Sequence, residues 1–177
     1  MVNRALHDFT GIRIDTRQWP LVVMEMPAGP VPDDSVHQAL WYLERMMKRT
    51  PPGERYFQIT DLSAMHDVAP ASQRKYSAEW ARRTAAFARP CRVGCAIVPK
   101  SPLIRGMLTA VFWLAKPEGR TNVVSTRSEA LSCAMSALEA VGPTPAHLVP
   151  LRDRALSPRR RGASAPLVEL KRDCGLS

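Results

Sequence analysis

The sequence predicts an α/β domain: a mostly parallel central sheet of about five strands with an N-terminal antiparallel hairpin, and four helices packed on it. Short runs rich in β-branched and aromatic residues alternate with longer stretches whose apolar residues recur at helical spacing, which is the pattern of βα units. Helix starts and stops are marked by prolines, capping residues and glycines between those stretches. The 177 residues, 45% hydrophobic and 23% charged, suit one compact domain with a real core plus extensions.

Residues 1–10 show no periodicity and are expected to fray. Ile12-Arg13-Ile14-Asp15-Thr16 alternates and Leu21 to Met26 is a denser apolar run, so the two read as paired antiparallel strands joined through Gln18-Trp19-Pro20. After the Pro27 to Pro32 cluster, Asp33 or Asp34 is expected to cap a helix with Val36, Leu40, Leu43 and Met47 as its apolar stripe. Pro51-Pro52-Gly53 ends it. Tyr56 to Leu62 is short, aromatic and β-branched, hence a central strand. An irregular loop, Ser63 to Ala69, leads to Pro70 in the first turn of a second helix striped by Tyr76, Trp80, Thr84 and Phe87. Those aromatics read as core rather than as a base-stacking platform.

Arg92 to Val98 is a nearly unbroken apolar run, as for a strand covered on both faces. Ser101-Pro102 is an N-cap and first-turn proline opening a helix to about Ala115, apolar on more than one face. Asn122 to Ser125 reads as a last strand. Thr126-x-x-Glu129 has capping-box spacing before a helix through Leu131, Ala134, Leu138 and Val141 to Gly142. Residues 143–177 hold five prolines and the block Arg159-Arg160-Arg161, and read as a flexible basic tail, with Leu167 to Leu170 as its one apolar run. Ser157 and Ser164 beside the arginines have the look of a basic-directed kinase site, though a solubilising role for the tail is the simpler reading.

Net charge is +9, of which the tail supplies +4 with seven Lys/Arg against three Asp/Glu. That tail and the basic residues Arg74, Lys75, Arg82 and Arg83 of the second helix give salt-sensitive attraction to polyanions, so nucleic acid is a weak candidate partner. No apolar run is long enough to span a bilayer and no leader is evident, so a cytoplasmic protein without a membrane span is expected. Cys91, Cys95, Cys133 and Cys174 have neither metal-finger nor disulfide-framework spacing and are expected as reduced thiols, with Cys91 and Cys95 on one strand face. Phosphate-binding glycine motifs and a nucleophile elbow are missing, and His7, His37, His66 and His147 are scattered. No cofactor, metal or catalytic residue is expected.

The best-placed polar constellation follows the central strand, where sites form in open α/β sheets. Asp61, Ser63, His66, Asp67 and Ser72, with Arg74 and Lys75 just beyond, are the candidate partner-binding residues. Asp and Ser also favour such loops simply by bonding nearby backbone N–H groups.

Asp61-Leu62-Ser63, the run Val93-Gly94-Cys95-Ala96-Ile97-Val98 before a helix with Arg105 and Phe112, and Glu129-Ala130-Leu131 after the last strand together resemble the STAS domain, particularly its SpoIIAA-like branch. The likeness covers roughly residues 11–142, and the order of elements carries most of it. It implies a non-enzymatic regulator similar to the anti-sigma-factor antagonists, docking an anti-sigma factor or serine-kinase-like protein through the loop after the third strand and the next helix. It also implies a phosphorylatable Asp-Ser pair near that helix's start. Here the matching positions are Ala69-Pro70, which cannot be phosphorylated, and Ser72 is the nearest stand-in. Phosphorylation would add about −1.5 to −2 charges and repel an acidic partner. The alternative is a small-molecule or lipid-binding module of the same fold, with an apolar cavity beneath the helix from Leu103 to Phe112. That helix's apolar surface also fits a dimer interface.

Overall fold

The computed structural model describes residues 4–114 and 119–156. Six strands form one sheet in chain order: β1 (Leu6–Phe9), β2 (Ile12–Asp15), β3 (Leu21–Glu25), β4 (Tyr56–Leu62), β5 (Arg92–Pro99) and β6 (Thr121–Val123). The first three pair antiparallel and β3 to β6 pair parallel. Parallel neighbours need crossovers. Because the strand order advances one step at a time, crossovers of one hand lay α1 (Asp33–Arg49), α2 (Ala71–Ala88) and α3 (Pro102–Leu114) on the same face. The other face is covered by α4 (Arg127–Glu139), a short 3-10 turn (Ala146–Leu148) and α5 (Val149–Leu156).

Every residue of β4 is buried, as its central reading requires. Tyr56 and Leu62 join the clusters under α1 to α3, while Phe57 and Ile59 join the one under α4. The α1 stripe of Val36, Leu40, Leu43 and Met47 is buried as its spacing implies. Gly94 is fixed by packing: a Cβ there would lie 2.7 Å from the ring of Phe57, itself fully buried, and 3.3 Å from the Arg120 carbonyl oxygen.

Several expectations need correction. Residues 6–9 do not fray; they form the edge strand β1, with Leu6 opposite Asp15 and Phe9 opposite Ile12. Thr10 and Gly11 both have positive φ, the geometry of a tight two-residue hairpin turn, and the Gly11 N–H donates to Asp8 Oδ1 at 2.8 Å. Neither Asp33 nor Asp34 caps α1: Pro32 is its N-cap, and Asp33 instead accepts a hydrogen bond from Gln73 of α2 at 2.8 Å. Pro70 stands just before α2 as its N-cap, not inside its first turn. Phe87 lies at the solvent edge of α2 beneath the Lys48 ammonium, 4.7 Å from the ring centroid. The last strand ends at Val123, one residue earlier at its start and two at its end than its sequence pattern. In the capping box Thr126 Oγ1 does accept from the Glu129 N–H, but the Glu129 carboxylate bonds the N–H of Ser125 rather than of Thr126. Helix α4 ends at Glu139, and Val141 beyond it is exposed.

The supposed tail starts later than its prolines imply. Leu148 is fully buried against α4, and His147 Nε2 donates to the Trp19 carbonyl at 2.8 Å. One buried leucine and one long-range hydrogen bond thus order a stretch whose sequence has no period. Arg159 to Arg161, Ser157, Ser164, Leu167 to Leu170 and Cys174 lie outside the described residues.

Candidate ligand-binding site

The residues expected to form one recognition surface divide between three surroundings. Asp61 is 5% exposed and committed to the structure: its Oδ1 accepts from the Ser63 N–H at 2.8 Å, and its Oδ2 faces Arg127 Nη1 at 3.4 Å. Ser63, His66, Asp67, Ser72 and Lys75 are exposed. Lys100 Nζ donates to His66 Nδ1 at 3.1 Å. Arg74 is half-buried and turned inward, donating to the Ala69 carbonyl.

Arg127, which motif reading missed, ties the carboxyl ends of the strands to α4. Its guanidinium bonds Glu25 of β3 and approaches Asp61 of β4, residues paired in the parallel register; Arg13, opposite Glu25 on β2, closes the group at 2.8 Å. Two cations answer two carboxylates, which leaves this cluster balanced rather than poised for an ion.

The other face of the sheet holds a different feature. Between the strands and α1, α2 and α3 runs a pocket of about 240 Å³. It extends from Met65 and Arg74, at the carboxyl ends of the strands, to Arg92 and Thr121, which begin β5 and β6. Its walls are mostly apolar, with Leu40, Met107, Leu108, Val111 and Phe112 among them. The volume exceeds the roughly 150 Å³ that suffices for a benzene-sized guest in a dry protein cavity. Alternation along β4 puts Gln58 and Thr60 on the floor, and Gln58 Nε2 donates to Thr60 Oγ1 at 3.2 Å. Trp80, also in the wall, is 7% exposed, and its indole N–H has no hydrogen-bond partner. A buried donor left unpaired costs about 1–3 kcal/mol.

Cys95 lines the same pocket, and burial pushes its thiol above the ordinary range. Cys91 packs under α1 and α2 just before β5, likewise raised by burial. Together with Cys133 they are free thiols. The four histidines sit apart: His7 lies tilted against the ring of Tyr42, His37 against that of Tyr76, and His66 and His147 are engaged as above. Among the described residues no group of His, Cys, Asp and Glu is arranged to hold a metal ion, and no helix is long and apolar enough to cross a membrane.

Set beside known proteins, the chain matches no family model, no curated protein and no solved structure.

Proposed function

We propose that the protein is a non-enzymatic binding module for an elongated, largely apolar small molecule, held between the sheet and helices α1 to α3. The supporting observation is the largely apolar pocket itself, walled by side chains of the sheet and of α1 to α3. An apolar body would fill the space along Met107 and Phe112, and Arg74 and Arg92 at the two ends favour an anionic terminus. The loop after β4 then forms one mouth of the site rather than its whole.

The test uses Cys95 as a reporter. In a full-length variant keeping only that cysteine, methyl methanethiosulfonate is expected to label slowly, with a rate that climbs as pH passes through and above the ordinary thiol pKa, since burial favours the neutral thiol. Anilinonaphthalene sulfonate, an apolar dye with one anionic group, should slow that labelling by about tenfold at saturation. No dye binding, or dye binding that leaves Cys95 labelling unchanged, ends the proposal.

A second reading is favoured by one observation: His66, Asp67, Ser72 and Lys75 are all exposed along the loop and the first turns of α2. These residues fit a protein partner of the anti-sigma-factor or serine-kinase type, with Ser72 as the phosphorylated residue. Pull-downs with wild type and Ser72→Glu are expected to return different partners at Ser72's surface. Identical recoveries would remove Ser72 from the interface.

A further inference from the structure

We propose that the outer face of α3, together with the basic edge of α2 beside it, docks on the surface of a bilayer carrying anionic lipids.

Helix α3 has two apolar faces. Ile104 and Leu108 point inward and are buried, whereas Leu103 is 62% and Trp113 86% exposed. Between those two, at spacings of three, four and three residues, lie Gly106 and Ala110, both exposed and both small. Leu103, Gly106, Ala110 and Trp113 therefore make one outward stripe on which two large apolar groups project from a shallow floor. The helix's one charged residue, Arg105, is off the stripe and donates to Ser125 Oγ at 3.2 Å.

The charge around this stripe is one-sided. Residues 68–117, which run from the approach to α2 through α3, contain nine Lys/Arg and a single acid, Glu79, a local net charge of +8. On α2, Tyr76 and Arg83 mark the flank that meets α1, through His37 at 3.9 Å and Glu44 at 3.0 Å. At 100° per residue, Lys75 and Arg82 lie about 80–120° round from those two, on the side of α2 turned away from the sheet, and both are exposed. Lys100, just before α3, and Arg120, just after it in space at the start of β6, are exposed as well.

A projecting Trp and Leu flanked by lysines and arginines match the interface of an anionic membrane. The indole sits at headgroup depth, the leucine reaches the acyl boundary, and each nearby cation gains from the negative surface potential. A second copy of the chain would bring two such positive surfaces face to face. Nucleic acid would use the cations and leave Leu103 and Trp113 in water. Docking needs no occupant in the pocket, so this inference stands apart from the binding proposal.

The experiment is co-sedimentation of the full-length chain with vesicles of phosphatidylcholine alone and of phosphatidylcholine with an equal part of phosphatidylglycerol. Binding is expected to the second vesicle only and to weaken as salt is raised. The pair Leu103→Ser, Trp113→Ser should lower the partition by about tenfold, and Lys75→Glu, Arg82→Glu by a similar factor. Both pairs are at exposed positions, so unchanged melting curves serve as the control for folding. Four results would overturn the inference: no binding to the anionic vesicles; binding untouched by the Leu103, Trp113 pair, which would mean general attraction to polyanions; duplex DNA binding lost with that same pair; or a dimer in free solution that the pair dissociates.

Discussion

Replacing Arg127 by methionine is expected to lower the stability of the protein by about 2–4 kcal/mol, read as a fall of roughly 10 °C in melting temperature. The substitution keeps the apolar stem of the side chain and removes its charge, which strands the buried Asp61 carboxylate and leaves Glu25 with Arg13 alone. Breaking a buried pair costs about 3–5 kcal/mol because a charge is left without compensation. The lower figure applies because Arg127 and Glu25 keep 23% and 22% of their side chains in water, although Asp61 keeps 6%. Adding Asp61→Asn to the variant removes the stranded charge and should recover part of the loss; the two changes should therefore be far from additive. A melting temperature within about a degree of wild type would mean the cluster is solvated and contributes little.

That expectation bears on how Asp61 is studied. Its position at the carboxyl end of the central strand makes it the natural residue to mutate as a contact for a partner, yet its carboxylate is already used by Ser63 and Arg127. An Asp61→Ala phenotype would report on the joint between β4 and α4. Ser72 and Lys75, exposed and outside that cluster, are cleaner probes of the same surface.

The alternation of strand and helix was legible because it rests on local pattern: β4 is short, aromatic and β-branched, β5 is a nearly unbroken apolar run, and α1 carries a single stripe. β1 was not, since four edge residues with half their side chains in water leave little apolar signal, and only the Thr10-Gly11 turn marks the hairpin. The segment around Leu148 was hidden for a related reason, one anchoring side chain being too few to make a period. In the site, the loop was found and its neighbours were not. Arg127 did carry a signal: a cation at the first position of a helix sits against the positive end of the dipole, a local conflict that is resolved by Glu25 and Asp61. The pocket had none beyond a helix apolar on two faces, because empty volume depends on how side chains from α1, α2, α3 and four strands meet. Sequence distance hides that.

Ser77→Phe is expected to abolish dye binding, a loss of about a hundredfold or more, while leaving the melting temperature unchanged or raised. Ser77 lines the pocket from α2, one helical turn before Ala81, which also lines it. A phenyl ring at that position would occupy much of the space that a guest requires. A hundredfold loss is about 2.7 kcal/mol, within what burial of one ring-sized apolar surface supplies, so the guest cannot compensate by sliding along the channel. Stability moves the other way: filling a void replaces missing contacts, whereas the same ring forced into a packed core would cost about 1–3 kcal/mol. The pair of outcomes is what distinguishes a real cavity from a loosely packed core. Lost binding with retained stability places the guest between α2 and the sheet; lost binding with a collapse in melting temperature would show that Ser77 faces a filled core, and dye binding at full strength would place the guest elsewhere.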